Sequence, residues 1–303
     1  MISLSQKEIK NMNRNRTLRL LLALVSSISF SLTVCRATPP VTNAQSDSAS
    51  STSANKAQAD VSECAKEPFT YDNGPLGQSH WCGACNLDTS KLQAPININT
   101  KAARPDGSLP SINFSGYKAT KLVTSENVHT LKVDYKKGES SITIGKEPFT
   151  LVEFHFHRPS EEAINNHRAA MVIHLVHANA GATAYVAVSV LVEEGIPAPK
   201  TEALVNKLIR YFPPPNGFQN VPEGVDINAA DLLPEGSFPE NHNYFRYGGS
   251  LTTPACGENV TFYVLKTPIR FSAEQLRQFE RRYPFPNARN IQNTNGRPIV
   301  QTK

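Results

Sequence analysis

The sequence predicts a single, mainly β domain with a few short helices at its periphery. Strand-like segments recur from about residue 131 to residue 265, whereas only two segments carry a helical pattern. The length of 303 residues would suit one large domain or two small ones. Because the strand-like segments continue along the chain without a long break, they favour one domain.

The predicted strands fall into two kinds. Residues 131–135 and 141–144 alternate apolar and polar side chains, which is the period of a strand with one buried face. Other segments are almost continuously apolar and rich in β-branched residues, which is typical of strands at the centre of a sheet. These segments are residues 151–157, 170–178 and 184–192, and residues 261–265 predict another strand.

Two short helices are predicted beside the strands. The first places its apolar residues on one helical face and ends before three consecutive prolines, residues 213–215. Its apolar face consists of Leu204, Val205, Leu208, Ile209 and Phe212. The second begins with a capping-box pattern at residues 272–275, and Phe271 and Leu276 are placed for a hydrophobic staple.

Residues 1–37 have the features of a secretory signal. A basic leader precedes an apolar run at residues 18–34, which small polar residues interrupt. The alternative is an uncleaved anchor helix, for which this run is at the short limit of length. Residues 32–35 resemble a bacterial lipobox, and a lipid on Cys35 would attach the protein to a membrane. Ordinary cleavage after Ala37 or Ala44 is the other outcome.

The segment after the leader predicts a flexible linker. Residues 38–62 are rich in Ser, Thr, Ala, Gln and Asn and contain no aromatic residue, so they cannot bury enough apolar surface to become ordered. The globular domain is expected over residues 63–303. We therefore expect an exported protein, periplasmic or extracellular, whose only membrane contact is the leader or a lipid on Cys35.

The net charge of +5 comes entirely from the leader. Residues 1–37 contain six basic residues and one acidic residue, and the remainder contains 25 of each sign. A domain without net positive charge gives no support for a nucleic-acid partner.

Four cysteines follow the leader, namely Cys64, Cys82, Cys85 and Cys256. An even number in an exported chain indicates disulfides, and the spacing leaves their connectivity open. Cys82 and Cys85 form a C-x-x-C motif, which also occurs in redox sites and as half of a zinc site. The sequence has no second C-x-x-C and no strand-then-helix pattern around this one, so structural disulfides are favoured.

Histidines on two predicted strands suggest a metal site. His155 and His157 are two residues apart, so on a strand both rings point to the same face. Either His174 or His177 would complete the open three-ligand site that catalytic zinc uses, with a water in the fourth position. Only one of these two can face the site, because they are three residues apart. The alternative is strand histidines held by ordinary hydrogen bonds, which is less favourable for several rings in two apolar strands.

Five separated motifs occur along the domain. They are Gln-Ala-Pro-Ile-Asn-Ile at 93–98, Phe-His-Phe-His at 154–157, His-Leu-Val-His at 174–177, Gly-Ser-Leu-Thr-Thr-Pro at 249–254 and Asn-Ala-Arg at 287–289. In this order, over residues 71–297, the chain resembles the alpha-carbonic anhydrases. The resemblance implies a large, central, twisted and mostly antiparallel sheet with short peripheral helices.

The resemblance also implies an activity and a cofactor. The activity is reversible hydration of carbon dioxide to bicarbonate and a proton, by hydroxide on Zn²⁺. His155, His157 and His174 would be the zinc ligands, and His177 would be a structural partner rather than a ligand.

Further roles follow from the same resemblance. Thr252 is similar to the threonine that accepts a hydrogen bond from the hydroxide, and Glu161 to the carboxylate that takes the threonine proton. The amide of Thr252 and the adjacent Thr253 would contact substrate. His129 would relay protons to buffer, its alternative being an exposed loop histidine without a role. The apolar wall for carbon dioxide would be Val176, Ala187, Leu251, Val260 and Phe262.

The sequence departs from the family pattern around the histidines. Glu153 precedes the first ligand by two residues, where the family usually has Gln, and Glu162 stands where it usually has His. Val172 replaces a Glu that holds the free nitrogen of the third ligand, and Glu162 is placed to supply that carboxylate. Ala187 and Phe262 replace the usual Val and Trp, which makes the pocket roomier. Residues expected to contact the ligands are Glu153, Glu162 and Asn287.

Exported members of the family often tie the Thr-Thr-Pro loop to the N-terminal segment. This implies a disulfide between Cys85 and Cys256 and leaves Cys64 to pair with Cys82. Cys82 is the alternative partner of Cys256.

Two other functions are compatible with the resemblance. A non-enzymatic relative would keep the fold and bind a ligand, but such relatives usually lack a zinc histidine, and all three are present here. The altered residues around the histidines are its only support. A zinc esterase would use the same site, although a small gated pocket argues against large substrates.

Overall fold

The computed structural model of the chain describes residues 63–64, 66–126, 129–214, 219 and 221–303. The predicted signal at 1–37, Cys35 within it, and the predicted linker at 38–62 lie outside the described residues. Within the described part of the chain, no helix is both long enough and apolar enough to cross a membrane.

Strands dominate the described residues. They are β1 (Asn97–Ile98), β2 (Arg104–Pro105), β3 (Ile112–Asn113), β4 (Thr120–Lys121), β5 (Thr124–Glu126), β6 (Leu131–Asp134), β7 (Ser141–Ile144), β8 (Glu147–His157), β9 (Ala163–Ile164), β10 (His167–Arg168), β11 (Met171–Ala178), β12 (Tyr185–Glu194), β13 (Asp226–Ile227), β14 (Glu240–Asn241), β15 (Tyr244–Gly249), β16 (Val260–Leu265), β17 (Ile269–Phe271) and β18 (Val300–Gln301). The α-helices of this part are α1 (Pro199–Arg210) and α2 (Ala273–Arg282), and 3-10 turns span Gln78–His80, Gly83–Asn86 and Ala229–Leu232.

Thirteen of these strands form one large curled sheet. Its main path runs β14-β3-β7-β8-β11-β12-β16-β15-β18-β2, with β6 added to β8, β5 to β6 and β17 to β12. Most neighbouring pairs are antiparallel, and the parallel ones are β12–β16, β12–β17 and β18–β2. The prediction of a mainly β fold on a large, mostly antiparallel sheet with short helices is confirmed.

The central strands separate two apolar clusters. On β8, Phe154 and Phe156 pack into the larger cluster, which also includes buried residues of α1 and α2. Val172 on β11, Ala187 on β12 and Phe262 on β16 belong to the smaller cluster on the opposite face. Side chains alternate between the faces of a strand, so His155 and His157, which alternate with these phenylalanines, project toward the smaller cluster. The larger cluster packs against the face of these strands opposite the histidines.

Several element ends differ from the prediction. Strand β8 begins at Glu147, before the predicted start at residue 151, because the β7–β8 hairpin extends its pairing to the turn. Helix α1 ends at Arg210, and Phe212 packs against the larger cluster from outside the helix. The capping box of α2 is present, since the Ser272 hydroxyl accepts from the Gln275 amide and the Gln275 side chain accepts from the Ser272 amide.

Two disulfides fasten the beginning of the described chain. Cys64 pairs with Cys82, 18 positions away, and Cys85 pairs with Cys256, 171 positions away. This is the pairing that the family resemblance implied. The two cysteines of the C-x-x-C motif therefore belong to different bridges, and the motif is neither a free dithiol nor half of a metal site.

Candidate active site

Three histidines converge on one face of the sheet. His155 and His157 lie on β8, and His174 on β11 is the direct cross-strand partner of His155. One ring nitrogen from each lies within 4.8 Å of the other two, and among the described residues they form the one such cluster of metal-binding side chains. The sheet register therefore brings together the three residues expected as ligands.

The two histidines of β8 are each held through Nδ1. That atom of His155 lies 2.9 Å from a carboxylate oxygen of Glu153. Nδ1 of His157 donates to the main-chain carbonyl of Asn287 at 2.7 Å. Nε2 of both rings is consequently left facing the cluster centre.

His174 is held through Nε2 by a buried carboxylate. This nitrogen lies 3.2 and 3.3 Å from the two carboxylate oxygens of Glu162, and the Ser189 hydroxyl donates to one of them at 2.6 Å. Burial lowers the pKa of His174, but the carboxylates of Glu162, Glu161 and Glu153 outweigh it and raise the pKa overall. Burial raises the pKa of Glu162, while its contacts with His174 and Ser189 outweigh that and lower it. Nδ1 of His174 faces the cluster.

The donor set fits a zinc ion. Nε2 of His157 is buried and makes no hydrogen bond. Burial, together with the neighbouring His155 and His174, holds the pKa of His157 well below its usual range, so this ring is neutral, as a metal ligand must be. Three imidazole nitrogens with one open position are a ligand set of catalytic zinc.

His177 lies on the other side of β11. The strand pairing shifts register between Val176 and His177. Its Nε2 is 2.8 Å from the hydroxyl of Tyr117, and burial lowers its pKa to about 3. His177 is therefore a neutral, buried ring that does not belong to the cluster of the other three histidines.

Glu161 is fully buried beside the histidines. Its Oε1 accepts a hydrogen bond from the amide of Arg289 at 2.9 Å. Its Oε2 lies 3.4 Å from Nε2 of His157 and 3.8 Å from Nδ1 of His174, without a hydrogen bond in the structure. Burial raises the pKa of Glu161, which His174, the Thr252 hydroxyl and the Arg289 amide offset only in part. Thr252 is therefore close to this carboxylate, although its hydrogen bond to Oε2 is not formed.

A buried arginine ties the Thr-Thr-Pro loop to this carboxylate. The Arg289 guanidinium donates to the Gln93 side chain at 2.8 Å, to the Ala94 carbonyl at 2.8 Å and to the Cys85 carbonyl at 3.0 Å. The Gln93 side chain in turn donates to the Cys256 carbonyl at 3.1 Å. From the sequence, Arg289 is recognised only as part of the motif at residues 287–289. Its role becomes visible through buried contacts that no spacing predicts.

The histidines open into a cavity of about 200 Å³. Its lining includes Thr252 and Thr253 at one side. All the residues expected as the apolar wall line the same cavity, namely Val176, Ala187, Leu251, Val260 and Phe262. The structure thus gathers the predicted wall around the three histidines.

His129 forms part of the cavity wall. Its ring stacks on Phe69 with ring centres 4.2 Å apart and meets the edge of Tyr71 at 5.5 Å. Burial lowers its pKa. The ring also lines a neighbouring groove of about 540 Å³. Phe69 and Tyr71 are not among the site residues predicted from the sequence, because no motif marks an aromatic pair that tertiary packing brings to the cavity.

Asn287 connects two parts of the site. Besides its carbonyl contact with His157, its side-chain amide donates to the carbonyls of His129 and Phe156, both at 2.9 Å. It also accepts from the Arg158 amide at 2.7 Å. One asparagine therefore fixes a predicted ligand and the predicted proton relay relative to each other.

Comparison with known proteins gives a consistent result. Residues 76–303 match the family model of the eukaryotic-type carbonic anhydrase. The carbonic anhydrase of Klebsiella pneumoniae is 36% identical over 241 residues, which cover 77% of this chain and 90% of that protein. The carbonic anhydrase of Neisseria gonorrhoeae is 33% identical over 213 residues, covering 70% of this chain and 78% of that protein.

A solved structure agrees with these relatives. The alpha-carbonic anhydrase of Thermovibrio ammonificans, determined in complex with the inhibitor sulfanilamide, superposes with a TM-score of 0.67 at 30% identity. The match covers 78% of this chain and 99% of that chain. Because sequence and fold agree over nearly the whole of the described residues, the chain belongs to the alpha-carbonic anhydrase family and shares its enzymatic activity.

Proposed function

We propose that the chain catalyses reversible hydration of carbon dioxide to bicarbonate and a proton, with Zn²⁺ held by His155, His157 and His174. The observation that carries this proposal is the arrangement of the ring nitrogens. Each ring is held through one nitrogen by a carboxylate or a carbonyl. One nitrogen from each of the three rings lies within 4.8 Å of the other two. Zinc in such a site lowers the pKa of a water ligand to about 7 and supplies a nucleophile at neutral pH, chemistry for which carbonic anhydrase is itself the standard example.

Thr252 and Glu161 orient the attacking oxygen. A threonine hydroxyl has one proton and two lone pairs. When the proton goes to the Glu161 carboxylate, which can only accept, Thr252 must accept from the attacking oxygen, whose lone pair then faces carbon dioxide. The Arg289 amide supports this role because it occupies one oxygen of Glu161 and leaves Oε2 without a hydrogen bond.

An apolar row beside the histidines holds carbon dioxide. Val176 is the cross-strand partner of Ala187, and Ala187 is the partner of Phe262, so three wall residues follow one another across the sheet. Carbon dioxide has no hydrogen to donate and no net charge, so apolar contact is sufficient to hold it. The row lies one pleat away from His155 and His174, which places the bound molecule next to the nucleophile.

His129 transfers the proton out of the cavity. Its ring borders both the cavity and the neighbouring groove. An imidazole accepts and releases protons near neutral pH, and burial moves the pKa of His129 below its ordinary value. The ring can therefore take the proton on one side and give it to buffer on the other.

Stopped-flow carbon dioxide hydration combined with metal analysis tests the proposal. The wild-type protein should contain about one zinc per chain, as expected for a three-ligand site, and chelation should remove both zinc and activity. His174→Ala should lose both. His167→Ala, at an exposed histidine paired with Glu193, is the matched control and should keep both. Full zinc content and full activity in His174→Ala would contradict the ligand set.

The non-enzymatic alternative rested on the altered residues around the histidines. In the structure each ring nevertheless has a hydrogen-bond partner, from Glu153, the Asn287 carbonyl or Glu162. The departures from the family pattern therefore do not leave a ligand unsupported.

The two disulfides indicate an oxidising compartment such as the periplasm or the cell exterior. We propose that residues 1–37 direct export and that residues 38–62 tether the enzyme. N-terminal sequencing and mass measurement of the mature protein would distinguish cleavage after Ala37 or Ala44 from lipid attachment at Cys35.

A further inference from the structure

Glu162 contacts a predicted ligand ring from a loop. It lies in the connection between β8 and β9, not on the strand that carries His174, and its side chain is fully buried. Both of its carboxylate oxygens are within 3.3 Å of Nε2 of His174. The carboxylate therefore reaches the ring from outside the strand.

Ser189 holds that carboxylate from the next strand. Ser189 on β12 is the direct cross-strand partner of His174, so the two side chains share one face of the sheet. Its hydroxyl is fully buried and donates to Oε1 of Glu162 at 2.6 Å. A buried carboxylate is costly unless its oxygens are hydrogen-bonded. Ser189 provides one of these bonds and also sets the direction from which Glu162 approaches the ring.

The strand of His174 offers no substitute for this carboxylate. Two residues before it, on the same face, stands Val172, which is fully buried and pairs across the sheet with His157. Glu161 lies nearer to the other ring nitrogen, at 3.8 Å. Within the described part of the chain, Glu162 alone hydrogen-bonds to Nε2 of His174.

We propose that Glu162, held by Ser189, is the positioning residue that retains zinc at this site. The inference rests on the proposed zinc-binding function and adds the residues that govern retention. A carboxylate that hydrogen-bonds to the nitrogen of a ligand histidine not facing the metal fixes the tautomer and the orientation of the ring. It also makes the ring more basic, and therefore a stronger metal ligand. Here that contact depends on a hydroxyl of a neighbouring strand, so Ser189 acts on the metal through Glu162 and without touching it.

Zinc dissociation into an excess of chelator tests this directly. Glu162→Gln keeps the shape of the side chain but removes its charge, and should accelerate zinc loss by about 10–100-fold, the usual range for partners of ligand residues. Ser189→Ala keeps the carboxylate of Glu162 but removes the hydrogen bond that holds it. This change should therefore accelerate zinc loss less than Glu162→Gln does. In a Glu162→Gln background the serine change should add little, because its effect passes through the carboxylate.

Two matched controls separate this role from general packing. Glu193→Gln removes a carboxylate from the exposed His167, 3.2 Å away and outside the site. Ser237→Ala removes a buried serine hydroxyl that accepts from the Asn241 side chain at 2.7 Å. Both should leave the zinc dissociation rate unchanged. Thermal unfolding of the zinc-free variants shows whether each protein is folded before zinc loss is compared.

The outcomes distinguish the inference from the proposed function. A wild-type protein that binds no zinc would overturn the proposed function. A second outcome would overturn the inference alone. In it, the wild-type protein binds zinc, and Glu162→Gln and Ser189→Ala both lose zinc at the wild-type rate. Equal acceleration by the serine change in the wild-type and Glu162→Gln backgrounds would also overturn it, because Ser189 would then act independently of the carboxylate.

Discussion

The two disulfides should contribute unequally to stability, because they close loops of different length. Cys85–Cys256 joins positions 171 apart and Cys64–Cys82 positions 18 apart. Loop-closure entropy of the unfolded chain, about 2.1 + 1.5R ln n cal/mol/K for n residues, corresponds at 25 °C to about 5 kcal/mol for the long bridge and about 3 kcal/mol for the short one. Replacing each pair by alanine should therefore cost about 2 kcal/mol more at the long bridge.

Urea unfolding of the wild type and the two double variants, in buffer without reductant so that the remaining bridges stay intact, measures the difference. The long bridge should also matter for catalysis, since Cys256 receives a hydrogen bond from Gln93 and the same loop carries Thr252. We expect Cys85→Ala with Cys256→Ala to lower carbon dioxide hydration even at temperatures where the protein stays folded. The short-bridge variant should retain activity.

Two results would refute this reasoning. An equal or larger loss of unfolding free energy in the short-bridge variant would show that loop length does not govern the stabilisation. Unchanged turnover in the folded long-bridge variant would show that the bridge does not hold the loop for catalysis.

Three further changes have defined outcomes. Glu161→Gln should lower hydration at least tenfold, about 1.4 kcal/mol of barrier, with zinc still bound, because an amide can donate to the Thr252 hydroxyl. His129→Ala should lower turnover mainly in weak buffer, and imidazole buffer should restore it. The free energy of unfolding of the wild type should fall between pH 6.5 and pH 5, and His177 contributes about 2 kcal/mol to that fall. In His177→Gln the fall should be smaller by this amount.

The sign of the last effect follows from the depressed pKa. Burial lowers the pKa of His177 to about 3, whereas the unfolded chain takes up this proton near pH 6.5. The stabilisation is therefore complete above pH 6.5 and is lost as the pH falls toward 3. Urea unfolding at both pH values measures it, and an equal loss in wild type and variant would contradict it.

Controls for the other two changes are equally direct. Glu162→Gln measured beside Glu161→Gln tests the assignment of the two adjacent carboxylates. With zinc bound in both variants, loss of turnover only in Glu162→Gln would reverse their roles, and no loss in either would contradict the hydration mechanism. A His129→Ala protein whose turnover does not depend on buffer would rule out the relay.

Local patterns predicted most of the longer strands but not the short ones. Alternation identified β6 and β7, dense β-branched runs identified β8, β11 and β12, and the apolar run at residues 261–265 identified β16. Strand β15 was not predicted, since its two terminal glycines and Arg246 give a weak strand pattern. Most of the two-residue strands are defined by pairing with partners far along the chain, as when Arg104 pairs with Val300. No local signal encodes such pairings.

The candidate site, too, could be predicted only in part from local sequence patterns. Strand alternation alone places His155 and His157 on one face, and it leaves open which of His174 and His177 joins them. The pairing of β8 with β11 sets His174 opposite His155. The contact between Glu162 and His174 depends on the path of a connection between strands, which residue spacing does not specify. The aromatic neighbours of His129 were missed for the same reason.

The pairing of β2 with β18 has a consequence for how the chain acquires its fold. These strands lie near opposite ends of the domain, and Cys85 likewise awaits a partner 171 positions away. Contacts of high sequence separation form slowly, because the chain must lose loop entropy before they stabilise it. Cys64 and Cys82 are only 18 positions apart, so we expect the local bridge to close first during oxidative refolding. We expect Cys85–Cys256, in the loop that carries Thr252, to close later, and activity should appear with that step and not with the earlier one.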